Sequence, residues 1–302
     1  MASVETSPGA IRGWWPWLLA ARLQTLPVAA APVAVGSALA FADGQGRALP
    51  ASAALLGAFL IQIGANFAND VFDFERGADT ETRIGPPRAA QLGLLTPRQM
   101  KMGTALAFGC AVLVGTYLVA VGGWPIVAIG LLSIAAGLAY TGGPFAFGYH
   151  GLGEIAVFAF FGFAAVCGTY YVQALALPPI AFVGALPIGA FATAVLVVNN
   201  LRDVDTDRSA GKRTLAVRFG RRVARFEYVG LLVFAYAMLP VLCFAGASRA
   251  AMVLPLVTLP FALLLVRTVT TSTDGPTLNT ALARTATLEV VFAALLAVGL
   301  LV

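Results

Sequence analysis

Nine apolar stretches divide the chain, and they constrain its fold more than any other feature. Each is close to the roughly 20 residues that a helix needs to cross a bilayer. The stretches lie at 18–41, 51–72, 102–121, 124–140, 152–172, 179–198, 227–246, 250–266 and 282–302. Only 11% of the 302 residues are charged, whereas soluble domains carry about a quarter. We therefore predict an all-α integral membrane protein, with nine transmembrane helices bundled into a single domain over 1–302.

The basic residues indicate how such a bundle is oriented. If nine spans alternate in direction, 17 of the 19 Lys and Arg residues fall on one side, and only Arg47 and Arg249 fall on the other. Basic loops face the cytoplasm, so we expect a multi-pass protein of the cell (inner) membrane with a cytoplasmic N-terminus and an outer C-terminus. Pro27 and Pro32 lie in the first stretch and predict a broken or kinked first helix.

Two polar clusters interrupt this pattern at the inner ends of the second and sixth stretches. The first consists of Asn66, Asp70 and Asp73, and the second of Asn199, Asp203 and Asp207. On a helix the first three residues fall within about 60° of one another, and the second three recur every four residues. Each cluster therefore presents one asparagine and two carboxylates on a single helix face.

The clusters also suggest a weak internal repeat. Asp70 and Asp203 are 133 residues apart, and the second and sixth helices run in the same direction. We interpret the chain as two related halves, about 15–150 and 151–302. The two clusters would then face one cavity at the inner membrane surface.

Carboxylates at a lipid boundary are costly unless they are paired or hydrated. A bound divalent cation with a preference for oxygen ligands would explain why they occur here. Mg²⁺ typically bridges one or two carboxylates to the phosphates of a substrate. We predict Asp70, Asp73, Asp203 and Asp207 as catalytic metal ligands for Mg²⁺ around a diphosphate. Basic side chains are available for the remaining phosphate oxygens: Arg76, Arg202, Lys212 and Arg213.

Other interpretations remain open from these residues alone. The carboxylates could be solvated groups that balance nearby arginines, or they could mark an ion path, although they lie at helix ends. The Asp-rich phosphotransferases that use CDP-alcohols need Asp-Gly after the first Asp-x2 unit, whereas Phe74 follows Asp73 here. The basic residues form no continuous stripe with aromatic residues, so no nucleic-acid partner is expected. No obligate protein partner is evident.

The ordered motifs resemble the UbiA superfamily of intramembrane prenyltransferases, and within it the 1,4-dihydroxy-2-naphthoate polyprenyltransferases of menaquinone synthesis. The segments that carry this resemblance are 21–27, 69–77, 85–89, 140–144, 151–154 and 199–215. Two positions depart from the superfamily pattern. Asp79 follows Asp73 by six residues rather than four, and Asn199 replaces a leading Asp.

The resemblance implies a nine-helix bundle whose central cavity opens to the cytoplasmic side and to lipid. It also implies transfer of a polyprenyl group from its diphosphate to 1,4-dihydroxy-2-naphthoate, with loss of diphosphate and carbon dioxide. Another acceptor such as 4-hydroxybenzoate, or isoprenoid-lipid binding or transport without catalysis, is the alternative.

Further residues receive roles within this interpretation. Tyr140 is predicted to be catalytic, because its hydroxyl would meet the acceptor or the phosphate. The predicted substrate-binding residues are Asn66, Arg22, Gln24, Arg76, Asn199, Arg202, Lys212 and Arg213. Among these, Arg22 is expected to pair with the acceptor carboxylate. Phe67, Phe160 and Tyr170 are candidates, with Tyr140, for shielding an allylic cation. The roles of His150 and Glu154 stay open.

Overall fold

The computed structural model describes residues 13–78 and 84–302, and these residues form helices joined by short connections, without a strand. Asp79, the displaced third carboxylate of the first motif, lies outside the described residues. The α-helices are α1 (Trp15–Ala21), α2 (Leu26–Ala42), α3 (Ala48–Glu75), α4 (Pro97–Gly122), α5 (Trp124–Ala139), α6 (Gly153–Val157), α7 (Gly168–Ala174), α8 (Pro179–Arg202), α9 (Val204–Ser209), α10 (Leu215–Phe244), α11 (Arg249–Leu256), α12 (Leu259–Thr271) and α13 (Gly275–Leu301). A π-helix, Phe158–Cys167, joins α6 to α7, and a 3-10 turn spans Phe147–His150.

Long apolar helices make this chain a multi-pass membrane protein. In the described residues, seven continuous or nearly continuous helices are long and apolar enough to cross a bilayer, and α11 with α12 gives an eighth span bent by 46°. Helix α5 is apolar but has only 16 residues. Each of the nine apolar stretches thus contains helix, whereas the exact count of nine spans stays a prediction.

The first helix breaks earlier than its prolines suggest. Arg22 adopts a left-handed conformation with φ of 50°, and a 3-10 turn follows at Leu23–Thr25. Pro27 then lies in the first turn of α2, where its missing N–H costs no helical hydrogen bond. Pro32 lies inside the continuous helix. The interruption expected at the two prolines is therefore corrected to residues 22–25.

Helix α8 forms the centre of the bundle. Its side chains are buried along most of its length, and it packs against α2, α10, α13 and the π-helix. Gly162 of the π-helix and Gly189 of α8 lie in direct contact, and a Cβ at Gly189 would come within 2.9 Å of the Phe158 carbonyl oxygen. Small residues of this kind allow two helix backbones to approach closely in a membrane. The π-helix is thereby held against α8, and it forms one wall of a cavity beside α3.

Several connections meet at one end of the bundle, which we call the site end. Helices α3 and α8 both finish there, and the connections at 22–25, 84–96, 140–152 and 203–214 contact them. At the opposite end, the Tyr170 hydroxyl donates a 2.6 Å hydrogen bond to Asp43. The two Asp-bearing helix ends thus lie at the same end of the bundle, where Lys212 links Asp73 to Asp207.

Candidate active site

The last turns of α3 carry Asn66, Asp70 and Asp73, and all three side chains are buried. Asn66 donates hydrogen bonds from Nδ2 to the Ala21 carbonyl oxygen (2.9 Å) and to Thr25 Oγ1 (3.0 Å). These bonds hold the 22–25 turn against α3. The Asn66 amide therefore donates its hydrogen bonds within the protein, and these bonds anchor the turn that carries Arg22.

The two carboxylate oxygens of Asp70 differ, because one accepts a hydrogen bond and the other does not. Its Oδ2 accepts a hydrogen bond from the Ala89 N–H at 3.1 Å, whereas Oδ1 is buried without a hydrogen-bond partner. Arg22 and Arg88 are the cations that act on this carboxylate. A buried oxygen without a partner is costly in a closed core, so Asp70 Oδ1 is chemically suited to a cation.

Asp73 is the most heavily contacted carboxylate of the site. Its Oδ1 accepts a 2.6 Å hydrogen bond from the Tyr149 hydroxyl and lies 3.3 Å from Lys212 Nζ. Its Oδ2 lies 2.8 Å from Arg88 Nη1, which also donates to the Asn69 carbonyl oxygen. Three separate connections therefore converge on Asp73.

The second cluster is organised by Arg202. Its Nε and Nη2 donate to the two carboxylate oxygens of Asp203 at 2.7 and 2.5 Å. Nη2 also donates to Asn199 Oδ1, and Nη1 donates to Asn279 Oδ1. Every guanidinium nitrogen of this buried arginine is thus bonded within the protein, and the arrangement fixes the Asp203 carboxylate in orientation.

Asp207 joins the two clusters. Lys212 Nζ lies 3.8 Å from Asp207 Oδ1, in addition to its contact with Asp73. Burial raises the pKa of the Asp207 carboxyl to about 6; Lys212 opposes this shift, and the charges of Asp203 and Asp73 add to it. The clusters at the ends of α3 and α8 therefore share one electrostatic environment.

Two side chains that sequence reasoning did not select complete this environment. Arg88 is buried at the Asp73 carboxylate. Tyr149 is buried too, and burial together with Asp73 raises the pKa of its hydroxyl. The sequence offered only indirect signals for them: Arg88 lies in a segment that carries the family resemblance, and Tyr149 follows the Thr-Gly-Gly-Pro turn by five residues.

An apolar cavity of about 470 Å³ adjoins this polar site along α3. The α3 residues Ala54, Ala58, Gln62 and Ala65 line it, and at 1.5 Å per residue they extend over roughly 16 Å. Gln62 lies one turn before Asn66 and points its amide toward Thr25 Oγ1 at 3.2 Å. The cavity, which also borders α2, α4, α5 and the π-helix, thus leads from the middle of the bundle towards the carboxylates.

The predicted aromatic residues take different positions. Tyr140 and Phe160 line the apolar cavity, and the Tyr140 hydroxyl lies against Gly153. Phe67 packs instead against Trp17, with ring centroids 5.8 Å apart. Tyr170 bonds Asp43 at the opposite end. Of the four candidates for shielding a cation, only Tyr140 and Phe160 therefore border the cavity.

The remaining predicted residues lie around the rim or in the core. The Gln24 side chain is exposed in the 22–25 turn. Arg76 donates to the Gly143 carbonyl oxygen, and its guanidinium lies 5.0 Å from the centre of the Tyr149 ring. Glu154, whose role the sequence left open, is buried and accepts a 2.8 Å hydrogen bond from Asn200. His150 stacks on Phe145 at 4.2 Å.

The carboxylates suit a metal ion whose remaining ligands come from water and from the bound substrate. No three His, Cys, Asp or Glu side chains of 13–78 and 84–302 are arranged to hold a metal ion by themselves. Arg88, Arg202 and Lys212 lie against the carboxylates. Mg²⁺ usually takes one or two carboxylates, waters and substrate phosphates rather than an all-protein cage. The oxygen donors and the unpartnered Asp70 Oδ1 are compatible with such a site.

Comparisons with known proteins agree with this geometry. Residues 29–301 match the UbiA prenyltransferase family. A 1,4-dihydroxy-2-naphthoate octaprenyltransferase of Haemophilus influenzae is 39% identical over 246 residues, 79% of this chain and 78% of that protein. The Escherichia coli protein of the same name is 43% identical over 223 residues, 72% of each chain.

A solved structure has the same fold. The UbiA homologue from Archaeoglobus fulgidus bound to DMAPP and Mg²⁺ superposes with a TM-score of 0.66 at 15% identity, over 94% of this chain and 99% of that one. The family match covers most of the sequence, and the fold matches over nearly its whole length. This chain therefore belongs to the UbiA prenyltransferase family.

Proposed function

We propose that the protein transfers a polyprenyl group from polyprenyl diphosphate to 1,4-dihydroxy-2-naphthoate, in menaquinone (vitamin K2) biosynthesis. The transfer releases diphosphate and carbon dioxide and forms demethylmenaquinone in its reduced, quinol form. The observation that carries this proposal is the apolar cavity along α3, which leads to two carboxylate clusters. The similarity to 1,4-dihydroxy-2-naphthoate octaprenyltransferases over most of the chain supports the choice of acceptor.

The cavity suits the hydrocarbon part of the donor. Its lining is largely Ala, Gly, Val, Ile, Leu and Phe, and burial of hydrocarbon is favourable by about 0.8 kcal/mol per CH₂ group. Gln62 and Tyr140 are the polar members nearest the carboxylates. The prenyl tail would therefore lie along α3 with its diphosphate at the site end, and the apolar walls would keep water from the reacting carbon.

We place Mg²⁺ with the diphosphate at Asp70, Asp73, Asp203 and Asp207. When bound, the metal would stabilise the negative charge that develops on the departing diphosphate. The bound DMAPP and Mg²⁺ named for the Archaeoglobus fulgidus homologue support this placement. Arg88 and Tyr149 hold Asp73, and Arg202 holds Asp203, so the protein keeps the carboxylates oriented before the substrate arrives.

Heterolysis of the carbon–oxygen bond leaves a positive allylic group at the end of the cavity. Tyr140 and Phe160 present aromatic side chains on the cavity wall, and such π faces attract a cation. Lys212 lies between the clusters and is positioned to donate to the departing diphosphate oxygens. The electron-rich naphthoate carbon would then form the new carbon–carbon bond as the carboxylate leaves as carbon dioxide.

The acceptor would enter at the site end. Arg22 is held beside Asp70 by the Asn66 contacts, and its guanidinium can bind an aryl carboxylate at two oxygens. The Tyr140 hydroxyl lies on the cavity wall, against Gly153. We place the acceptor between these two groups, with its ring towards the allylic end of the prenyl chain.

The arrangement of the site end also bears on the orientation of the protein in the membrane and on its internal repeat. We propose that the site end faces the cytoplasm, because most of the Lys and Arg residues lie in its connections or in the helix turns that flank them. The N-terminus would then be cytoplasmic and the C-terminus outer, in the cell membrane. Helices α3 and α8 both end in an Asn-and-Asp cluster at this face, which supports two repeated halves.

The direct test is incorporation of radiolabelled polyprenyl diphosphate into lipid by membranes that contain this chain. We expect labelling with 1,4-dihydroxy-2-naphthoate but not with 4-hydroxybenzoate, and its loss when EDTA removes divalent metal. Labelling only with 4-hydroxybenzoate would refute the acceptor. Retention of labelled donor without product, in the presence of Mg²⁺ and either acceptor, would instead support an isoprenoid-lipid binding protein.

A further inference from the structure

A second cavity, of about 420 Å³, lies at the site end and is lined by different residues from the first. We call it the basic cavity. Its charged or polar lining consists of Arg76, Tyr149, His150, Arg213 and Arg218. Tyr149 is shared with the carboxylate site, because its ring borders the basic cavity while its hydroxyl donates to Asp73. The Tyr149 side chain therefore lies between the basic cavity and the carboxylate site.

The positive charge of this cavity is not balanced locally. Within the described part of the chain, no carboxylate lies at ion-pair distance from Arg76, Arg213 or Arg218, whereas Arg88, Arg202 and Arg221 all have one. No described lining residue is acidic. Three exposed arginine side chains thus line one cavity without a described counter-charge, and solvent or a bound anion must compensate them.

Many donors of these arginines remain available. A guanidinium carries five N–H donors. Among the described contacts, Arg213 makes no side-chain hydrogen bond, and Arg76 makes one, to the Gly143 carbonyl oxygen. Arg218 uses Nε and Nη2 to hold the Arg213 and His150 carbonyl oxygens at 2.9 Å each. Arg218 therefore shapes the cavity, and Arg76 and Arg213 supply the unfilled donors.

The chemistry of the cavity favours a polyanion with phosphate oxygens. Guanidinium groups match the paired oxygens of phosphate, and even a phosphate monoester carries about −1.5 to −2 at neutral pH. A monocarboxylate would balance only one of the three positive charges. Because no carboxylate lines the cavity, binding there needs no bridging metal, unlike binding at the neighbouring Asp clusters.

We propose that the basic cavity is a second, metal-independent site for phosphate-class anions, and that it receives the diphosphate released by prenyl transfer. The identity of this ligand rests on the proposed function, whereas the site itself rests on the uncompensated arginines. Diphosphate displaced from the carboxylates would pass Tyr149 and leave through the basic cavity. The cavity would thereby clear the catalytic site for the next donor.

The test is equilibrium binding of radiolabelled inorganic diphosphate to the full chain in nanodiscs of zwitterionic lipid, with EDTA present. We expect saturable metal-free binding that Arg213→Gln weakens about tenfold or more, the loss expected for one charge-assisted contact. Arg213→Lys should retain part of it. Arg249→Gln removes an exposed charge far from the cavity and should leave binding unchanged.

Asp203→Asn separates the two sites, because it alters the carboxylates and not the cavity. Metal-free diphosphate binding of wild-type affinity in this variant supports the proposal. Markedly stronger binding would place the anion beside Asp203, whose negative charge repels it in the wild type, and would overturn the proposal. Binding that is absent, or equal in wild type and Arg213→Gln, would also overturn it. Wild-type prenyl transfer, measured in parallel, reports on the proposed function independently of this result.

A phospholipid headgroup presents the same phosphate oxygens, so the assay is repeated in discs that contain phosphatidylglycerol. Unchanged diphosphate affinity supports a site for the free product. Competition by phosphatidylglycerol that disappears in Arg213→Gln would overturn the assignment to released diphosphate and would identify the occupant as a headgroup.

Discussion

The ammonium of Lys212 lies 3.3 Å from Asp73 Oδ1, although one residue follows α9 and the other lies at the end of α3. The same ammonium lies 3.8 Å from Asp207 Oδ1. A compact cation therefore occupies the space between the two Asp clusters. From this position the ammonium can stabilise the negative charge of a departing diphosphate, so Lys212 contributes both to the packing of the site end and to its chemistry.

Lys212→Gln tests this link. Without the ammonium, Asp73 and Asp207 lose a shared counter-charge, so we expect a lower Tm in metal-free protein and a larger rise in Tm on adding Mg²⁺ than wild type shows. The KM for polyprenyl diphosphate should rise about tenfold or more, since a charge-assisted contact is lost. Lys101→Gln is the control, because it removes the exposed ion pair with Glu75. Equal Mg²⁺ responses in both variants would contradict this role.

Tyr149→Phe tests how Asp73 is oriented. The substitution keeps the ring next to Arg76 and Lys212 but removes the 2.6 Å hydrogen bond. Loss of a hydrogen bond to a metal ligand typically costs 10–100-fold in metal affinity or activity. We therefore expect the Mg²⁺ concentration for half-maximal prenyl transfer to rise by about tenfold.

Tyr170→Phe is the matched control for that experiment. It removes another 2.6 Å hydrogen bond from a tyrosine hydroxyl to an aspartate, but at the opposite end of the bundle. Its Mg²⁺ dependence should equal that of wild type. If Tyr149→Phe behaves in the same way, then Tyr149 does not position a metal ligand.

The Asp207 carboxyl predicts a pH dependence. Its pKa of about 6 in the metal-free protein is raised mainly by burial. A metal must displace the proton below this pH, so Mg²⁺ affinity should be nearly constant above pH 6 and should fall about tenfold per pH unit below it. Titration calorimetry over this range measures the effect. Asp207→Asn should bind Mg²⁺ more weakly and lose this inflection; an inflection that persists would assign it to another group.

The apolar cavity predicts control of prenyl chain length. A Cβ at Gly115 of α4 would contact nothing within 4 Å, and Gly115 lines the cavity. Gly115→Leu should therefore raise the KM for long polyprenyl diphosphates more than that for geranyl diphosphate. Gly109→Leu provides the control on the same helix, because Gly109 is equally unhindered but lies on the exposed face. A similar effect of both substitutions on both donors would argue against the cavity as the prenyl site.

Much of the bundle could be predicted from the sequence, because hydropathy and helix periodicity are local properties. The apolar stretches mark where helices form, and the four-residue spacing places Asp203 and Asp207 on one face. The break in the first helix could not be predicted from Pro27 and Pro32. Tertiary contacts fix it at Arg22–Thr25, where Asn66 bonds the Ala21 and Thr25 oxygens.

The residue types of the candidate site could be predicted from the sequence, but the contacts between those residues could not. The sequence indicates that Asp73 and Lys212 belong to one polar site, yet it contains no signal that Tyr149 and Arg88 both contact Asp73. It also predicts phosphate contacts for Arg202, whose nitrogens are all bonded to Asn and Asp side chains. Such partners depend on how distant connections meet at the site end, which periodicity does not encode.

We propose that Asp70 and Asp203, which lie at the ends of α3 and α8, act together in prenyl transfer. The most direct measurement is the kcat/KM for labelled polyprenyl diphosphate in Asp70→Asn, Asp203→Asn and the control Asp205→Asn, whose side chain is exposed and pairs with Arg221. We predict folded, extractable protein in all three, with losses of about a hundredfold or more in the first two and near wild-type transfer in the control. Unchanged turnover in both Asp70→Asn and Asp203→Asn would show that these two carboxylates do not act in prenyl transfer.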